Sequence, residues 1–356
     1  MGNPERHTTI VVGAGASKEF GLPTGAELKS KIAKIADIRF SDGYRLSSGD
    51  YRIVEALRLL ARENGHQRDD INPYLHEAWR IRDNMPLAPS IDNFLDTHRE
   101  NTHLVEFGKI AIADAILKAE KSSKLFADNE SGRPQLRFER IRDTWLAQLF
   151  SILVAQRNFS AFLDALETIT FVSFNYDRCI HQFFGHAALN YFALGKQEVE
   201  EVYSRLEVLY PYGSVGEFNW QNSGFSNFGE EPQRVRLIEI SKELRTFTEG
   251  VAGARVASIR GSFDKADNVL FLGFGFLKLN MDLLFGDETY YVEKLFATGK
   301  GLSENSRNQV ISELETVFSQ QGHEPFVEAL QNKQDLHLID CTCGDLIFEF
   351  QRFLLN

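Results

Sequence analysis

The sequence predicts an α/β protein whose central sheet is doubly wound and mostly parallel. Its strand-like segments are short, nearly continuous runs of apolar and β-branched residues, which is typical of strands buried on both faces. Helical periodicities separate these runs, as in a chain that alternates strands and helices. Between the first strand and the next strong one, residues 41–167 show helical spacing and almost no strand signal, which predicts an inserted helical module.

The first strand is an apolar run from Thr9 that ends in the small residues Gly13-Ala14-Gly15-Ala16-Ser17. Glycines tolerate a positive φ here and let a ligand approach the main chain. A T-x-x-E capping box at Thr24 and Glu27 predicts that a helix begins shortly afterwards. This pattern indicates a strand that presents backbone amides to a nucleotide phosphate. The spacing differs from G-x-G-x-x-G, and a tight turn without a ligand is the alternative.

Residues 41–167 carry the apolar i, i+3, i+4 spacing of amphipathic helices. The pattern predicts helices near residues 53–60, 74–81, 91–98, 105–118 and 141–154, and the polar residues 128–134 predict a loop. Strand-like runs return at residues 168–174, 206–210, 256–259, 269–272 and 336–339, before a terminal helix over 345–354. We therefore predict a Rossmann-like nucleotide-binding domain of residues 1–40 and 168–356, with residues 41–167 inserted as a helical domain.

Small or polar residues follow several of the predicted strands. They are Phe174-Asn175-Tyr176-Asp177, Tyr210-Pro211-Tyr212-Gly213-Ser214, Leu272-Gly273-Phe274-Gly275-Phe276 and the segment from Asp340 to Asp345. The carboxyl ends of parallel strands meet at one edge of the sheet, where ligands bind in open α/β folds. Each motif alone has a plainer interpretation, because Asn175 and Asp177 suit helix caps and the other segments suit turns. Their repetition favours a ligand site.

Charge and cysteine usage limit the classes of partner. The net charge of −11 opposes direct binding to nucleic acid. The cysteines Cys179, Cys341 and Cys343 form no C-x-x-C pair, so the sequence predicts neither a four-cysteine zinc site nor a disulfide framework. The polar start lacks a signal-peptide pattern, and no apolar run reaches the roughly 20 residues of a membrane helix. We expect a cytoplasmic protein with no metal and no membrane partner.

The order of these motifs resembles the sirtuin-like domains of bacterial antiphage defence systems. Gly13-Ala14-Gly15-Ala16-Ser17 with Gly21-Leu22-Pro23-Thr24-Gly25 is similar to the opening of that family. Ser90-Ile91-Asp92-Asn93-Phe94-Leu95 is similar to its acidic helix motif, and Phe174-Asn175-Tyr176-Asp177 to its asparagine motif. Leu272-Gly273-Phe274-Gly275-Phe276 is similar to its late glycine turn. The motifs are short, but they span nearly the whole chain in the family's order.

The resemblance implies a Rossmann-like domain that binds NAD as a substrate and hydrolyses it to ADP-ribose and nicotinamide, which halts the infected cell. It places residues 14–17 against the phosphates, Asn175 at the nicotinamide ribose and Asp92 near the same ribose. We expect Asn175, Tyr212 and Asp92 to be the catalytic residues. The expected dinucleotide site consists of Gly13, Ala14, Gly15, Ala16, Ser17, Thr24, Asp177, Gly213, Ser214, Gly273 and Gly275.

The chain departs from the family pattern at Tyr212. The family usually has His-Gly-Ser where this chain has Tyr212-Gly213-Ser214, and that histidine engages a ribose hydroxyl as a base. A tyrosine, with a reference pKa of about 10, is a poor base at neutral pH but a competent hydrogen-bond donor. Three interpretations follow: Tyr212 orients the ribose, another histidine replaces the base, or catalysis is weak or absent. Cleavage itself needs little strong base, because nicotinamide is a cationic leaving group and the transition state resembles an oxocarbenium ion.

Two functions of different classes fit these observations. The first is an NAD-cleaving effector that becomes active when it assembles as a homo-oligomer or with a separate sensor or ATPase subunit, since uncontrolled loss of NAD would kill the host. We expect a separate partner because no ATPase or ligand-sensor motif is present in this sequence. The alternative is a catalytically silent nucleotide-binding or scaffold subunit. Protein deacylation is disfavoured by the missing zinc cysteines and the missing histidine.

Overall fold

A computed structural model describes residues 6–127, 135–216, 228–250, 254–318 and 336–354. In these ranges six parallel strands form one sheet in the order β5-β4-β1-β6-β7-β8, and β2 pairs with β3 in a separate antiparallel hairpin. The strands are β1 (Thr8–Val12), β2 (Arg39–Ser41), β3 (Arg45–Ser48), β4 (Ile169–Ser173), β5 (Glu207–Leu209), β6 (Asn268–Leu272), β7 (Lys294–Thr298) and β8 (Leu336–Ile339).

Helices connect the strands and surround the sheet. In chain order they are α1 (Ala14–Lys18), α2 (Gly25–Ile35), α3 (Tyr51–Glu63), α4 (Asn72–Asn84), α5 (Ile91–Thr97), α6 (Thr102–Ser122), α7 (Trp145–Val154), α8 (Phe159–Glu167), α9 (Cys179–Tyr191), α10 (Lys196–Arg205), α11 (Arg234–Glu243), α12 (Phe247–Gly250), α13 (Ala254–Asp264), α14 (Lys278–Phe285), α15 (Glu304–Val317) and α16 (Cys343–Leu354). Short 3₁₀ turns lie at Gln67–Asp69 and Phe138–Arg140. No helix in the described ranges is long and apolar enough to cross a membrane.

The sheet has the strand order of a Rossmann-type fold. When only its own six strands are numbered along the chain, the spatial order becomes 3-2-1-4-5-6. The order in which the chain adds strands therefore reverses between β1 and β6. From β1 the chain adds β4 and β5 on one side, and it then returns to add β6, β7 and β8 on the other side. The predicted α/β class with a parallel, Rossmann-like sheet is confirmed.

Both faces of the sheet are covered by apolar side chains. Val11 joins one hydrophobic cluster while its neighbours Ile10 and Val12 join the other, because successive side chains of a strand point to opposite faces. Helices α2 to α6 pack in the first cluster, and α7, α8 and α9 pack in the second. Residues 41–167 thus contribute to both faces. Their division into a separate helical domain stays a prediction.

Two predictions about strands differ from the structure. Residues 256–259 are wrong as a strand, because they lie in α13 and bury Val256 and Ile259 at a helical i, i+3 spacing. Strand β7 was not predicted, although its residues Leu295, Phe296 and Ala297 are buried. Its apolar core is only three residues long, which is too short to show a period. The predicted loop at 128–134 lies outside the described residues.

A buried ion pair joins α6 to the segment between β4 and α9. Glu120, near the end of α6, and Arg178, directly before α9, are 0% and 1% exposed, and the Nη2 to Oε2 distance is 2.6 Å. The Glu120 carboxylate also accepts hydrogen bonds from the backbone N–H groups of Arg178 and Gly229, each at 2.9 Å. A carboxylate held away from water needs such partners, so this pair anchors the segment that carries Asn175.

Replacing Arg178 with Met should destabilise the fold strongly, because it leaves the Glu120 charge buried without its cation. We expect the free energy of unfolding, measured by urea denaturation, to fall by about 3–5 kcal/mol. Arg142→Met is the matched control: Arg142 pairs with Asp143 in solvent, and its loss should cost less than about 1 kcal/mol. Equal effects of the two substitutions would contradict the anchoring role.

Candidate functional site

The carboxyl ends of β1, β4 and β6 bring most of the predicted site residues to one edge of the sheet. Gly13 follows β1, the segment from Phe174 follows β4, and Gly273 follows β6. The register aligns Val12 with Ser173 on one side and with Leu272 on the other, so the three strands end at the same level. In open α/β sheets, ligands bind at the point where the strand order reverses, which lies here between β1 and β6.

Three glycines let the loops after β1 and β6 touch through their backbones. The N–H of Gly13 donates to the Leu272 carbonyl and the N–H of Gly15 to the Gly273 carbonyl, both at 2.9 Å. A Cβ on Gly13 would lie 2.5 Å from the Gly273 oxygen, and one on Gly273 only 2.0 Å from the Ala16 nitrogen. Gly273 also has a φ of +59°. These glycines are therefore required by the contact between the two loops, whether or not a ligand is present.

Residues 14–17, predicted to contact phosphate, form the short helix α1, and Asn175 binds it to the sheet. The buried Asn175 amide nitrogen donates to the Gly13 carbonyl at 2.9 Å and to Ser17 Oγ at 2.8 Å. Both of its hydrogens are thereby used. The carbonyl oxygen Oδ1 of Asn175 accepts no hydrogen bond from the described residues, so it is the part of this side chain that remains for a ligand or a water.

Asp177 supports the same segment from the start of α9. Its carboxylate accepts the N–H of Cys179, the first residue of α9, at 3.1 Å, although Arg178 rather than Asp177 occupies the N-cap position. The carboxylate is buried, and this burial raises its pKa despite hydrogen bonds from Cys179 and Ser17. Ser17 is thus contacted by both Asn175 and Asp177, and the three polar side chains form one buried network.

Tyr212 is positioned by its hydroxyl and by its ring. The hydroxyl donates to Asn280 Oδ1 at 2.7 Å, and the ring meets Phe174 edge-on with 5.7 Å between centroids. Burial, together with the charges of Asp92 and Asp96, raises the pKa of Tyr212. A phenol in this state is a poor base, but its oxygen can still accept a hydrogen bond from a hydroxyl.

The residues that follow Tyr212 have local structural roles. Gly213 has a φ of +75°, and a Cβ there would lie 2.1 Å from the Glu243 carbonyl oxygen at the end of α11. The Ser214 hydroxyl donates to the Gly216 carbonyl at 3.2 Å. This turn therefore holds Tyr212 against α11, and neither residue lines the cavity described below.

Asp92 lies in the first turn of α5, which Ser90 caps through the N–H of Asn93. The Tyr176 hydroxyl donates a hydrogen bond to Asp92 Oδ1, so α5 is tied to the loop after β4. Removal from water raises the pKa of Asp92 to about 6, because burial disfavours the charged carboxylate. The charge of Asp92 also raises the pKa of Tyr212, so these two predicted catalytic side chains are close enough to interact electrostatically.

A cavity of about 420 Å³ opens beside the glycine contact, at the ends of β1, β6, β7 and β8. Of the predicted site residues, four line it: Gly15, Thr24, Gly273 and Gly275. Asn175, Asp92 and Tyr212 do not, and Phe274 forms the wall on their side, with its ring centroid 5.1 Å from that of Phe174. The remaining lining residues are Lys18, Glu19, Thr298, Lys300, Leu302, Cys341, Thr342 and Cys343.

The cavity combines one partly buried carboxylate with two cations. Glu19 accepts the N–H groups of Gly344 at 2.9 Å and Trp145 at 2.8 Å, and burial raises its pKa. Lys18 pairs with Glu27 at 2.5 Å, whereas Lys300 forms no ion pair within the described residues. Sequence reasoning missed Lys300 because it missed β7. The segment from Asp340 to Asp345 after β8 was the sequence signal for the part of the cavity that Cys341 to Cys343 line.

Among the described residues, no group of three or more histidine, cysteine or acidic side chains is arranged to hold a metal ion. A comparison with models of known protein families finds no match, and a search of characterised proteins finds none either. The functional interpretation therefore depends on the geometry of this sheet edge and on the sequence motifs that form it.

Replacing Gly273 with Ala should disrupt the contact between the two loops. The new Cβ would meet the Ala16 nitrogen and would force a φ of +59° on an L-residue, so we expect a loss of at least about 2 kcal/mol in urea denaturation. Gly275→Ala is the matched control, since the nearest atom to its Cβ is 4.0 Å away. A Gly273→Ala protein as stable as Gly275→Ala would refute the steric argument.

The pKa of Asp92 predicts a dependence of stability on pH. Because the folded pKa of about 6 exceeds the ordinary value of 3.8, the native state holds this proton more tightly, and the resulting stabilisation is lost as pH rises through about 6. Asp92→Asn removes that titration. As pH rises from about 4 to about 7, the free energy of unfolding of the variant should increase relative to that of wild type, by about 2–3 kcal/mol in total. Asp143→Asn, which removes an exposed carboxylate, serves as the control; a parallel pH profile for Asp92→Asn and wild type would argue against the shift.

Proposed function

We propose that this chain binds NAD at the carboxyl edge of its sheet and cleaves it to ADP-ribose and nicotinamide. The observation that carries the proposal is the placement of the 420 Å³ cavity at the strand-order reversal of a Rossmann-type sheet. The cavity lies beside the glycine contact that Asn175 holds, and Phe274 and Phe174 separate it from Tyr212 and the neighbouring Asp92. The family resemblance of the motifs supports the choice of NAD.

The cavity suits the adenosine diphosphate part of the substrate. Backbone of Gly15, Gly273 and Gly275 lines it, and main chain without side chains admits close approach by phosphate oxygens. Lys300 supplies a positive charge that forms no ion pair within the described residues, which favours an anion. Leu302 and the segment from Cys341 to Cys343 offer the apolar and small surface that suits a purine ring.

The cluster on the other side of Phe274 suits the nicotinamide ribose. Tyr212 donates its own hydrogen to Asn280, so its oxygen is left to accept a hydrogen bond from a ribose hydroxyl. Asn175 Oδ1 is available to orient the attacking water, and the Asp92 carboxylate can stabilise the developing oxocarbenium charge. In this mechanism positioning and electrostatics replace the strong base that Tyr212 does not provide.

The proposal includes control of the activity. Phe274 and Phe174 pack between the cavity and the cluster, so a dinucleotide that spans both has to displace aromatic side chains. We propose that assembly, as a homo-oligomer or with a separate sensor or ATPase subunit, provides this rearrangement in the cytoplasm of a cell under phage attack. Neither nucleic acid nor a membrane is a direct partner in this proposal.

One observation favours the alternative of a catalytically silent nucleotide-binding subunit. Both hydrogens of the Asn175 amide are used to hold Gly13 and Ser17, which is a structural role. In that case the chain binds ADP-ribose or NAD without turnover, and replacing Asn175 leaves the toxicity of the assembled system unchanged.

The deciding experiment measures nucleotides in cells that express the chain with the proteins encoded beside it. We expect wild type to deplete NAD with formation of ADP-ribose, Tyr212→Phe to slow this at least tenfold, and Asn175→Ala to abolish it. Asn190→Ala is the matched amide control, because Asn190 is exposed near the end of α9 and donates a hydrogen bond to the local His186 carbonyl. Binding of ADP-ribose to the purified chain is measured in parallel by calorimetry. Binding without NAD loss in any assembled state selects the silent subunit, and absence of both refutes a nucleotide function.

A further inference from the structure

Two histidines that are not part of the candidate nucleotide site face each other. His66 lies in the turn between α3 and α4, and His103 lies in the first turn of α6. Their Nε2 atoms are 3.2 Å apart, and both side chains are partly exposed. An ion or small molecule from solvent can therefore reach the two nitrogens.

The ring of His66 is held with one nitrogen toward its partner. Its Nδ1 lies 3.0 Å from the Asp70 carbonyl oxygen, and because a carbonyl only accepts, Nδ1 carries the hydrogen. Nε2 of His66 then presents a lone pair toward His103. A histidine that donates one ring N–H to a backbone carbonyl and offers the other nitrogen is the arrangement usual for metal ligands. The Tyr74 ring packs edge-on against His103, with 4.7 Å between centroids, and supports that ring.

The separation of the two nitrogens matches that of two ligands of one metal ion. With zinc–nitrogen bonds of about 2.0–2.1 Å at a tetrahedral angle, two imidazole nitrogens lie about 3.3–3.4 Å apart. The observed 3.2 Å differs by only a few tenths of an ångström. Metal binding by both Nε2 atoms requires His103 to carry its ring hydrogen on Nδ1. It also requires the rings to tilt, because in the hydrogen bond the two nitrogens point toward each other rather than toward a common ion.

The surroundings carry negative charge that favours a cation. Glu106 lies one helical turn after His103, and its carboxylate accepts hydrogen bonds from the Tyr74 hydroxyl at 2.6 Å and from Asn64 at 3.3 Å. Glu63, at the end of α3, also acts on the Tyr74 hydroxyl through its charge. This negative charge lowers the electrostatic cost of placing a divalent ion beside the two rings.

We propose that His66 and His103 form a two-histidine site for a divalent transition metal such as Zn²⁺. Water, or a side chain of another molecule, completes the coordination, since the described residues offer no third preformed ligand. The bound ion joins the α3–α4 turn to the start of α6. The site is independent of the proposed NAD chemistry, so the two proposals stand or fall separately.

The test is calorimetric titration of the purified chain, free of any purification tag, with ZnCl₂ and with CoCl₂. We expect wild type to bind one ion, and Zn²⁺ to raise its melting temperature. His66→Ala and His103→Ala should each weaken binding at least tenfold and abolish the thermal shift. His76→Ala is the matched control, because His76 is an exposed histidine on α4 and should leave both readouts unchanged.

Two outcomes overturn the proposal. No binding by wild type, or equal binding by the double variant His66→Ala/His103→Ala, means that the histidines form only a hydrogen bond. Circular dichroism of the metal-free variants confirms that they are folded. If an alanine variant is unfolded, His66→Gln and His103→Gln, which retain bulk and polarity without imidazole, replace it in the same titration.

Discussion

The edge of the sheet depends on a direct contact between two backbones. The loops after β1 and β6 hydrogen-bond through Gly13, Gly15 and Gly273, with no side chain between them. Asn175 adds a third connection from β4, since its amide holds the Gly13 carbonyl and the Ser17 hydroxyl. Everything else in the candidate site is placed relative to this contact: the cavity opens on one side of it, and the cluster of Asp92 and Tyr212 lies on the other.

This contact changes how the glycine motif is interpreted. A Gly-x-Gly after a strand is usually taken as a place where phosphate approaches the main chain. Here the same residues are required because another loop approaches, and the N–H of Gly15 is already bonded to Gly273. The motif alone therefore does not distinguish a nucleotide site from a packed turn. The proposal of a nucleotide site therefore rests on the cavity and on Lys300, because neither is needed for the loops to pack.

Burial controls the chemistry of the ionisable groups around the site. Desolvation raises the pKa values of Asp92, Asp177 and Tyr212, so their neutral forms are favoured relative to those in water. Such groups orient hydroxyls and water well and abstract protons poorly. A reaction with a cationic leaving group fits this environment better than one that starts from proton removal. At the buried Glu120–Arg178 pair, two backbone N–H groups and a guanidinium surround the carboxylate in place of water.

The sequence by itself determined the parallel α/β class, because buried strands show continuous apolar runs and helices show a 3.6-residue period in short segments. It also placed Asn175, Tyr212 and Gly273 at strand ends. Tertiary structure decided how those ends combine. Asn175 bonds to atoms 158 and 162 residues away, and no local pattern encodes such a partner. The cavity depends on β7, whose apolar core of three residues is too short to show a period and which pairs with β6 and β8. Local periodicity reports which face of an element is buried, whereas a site is formed by contacts between elements.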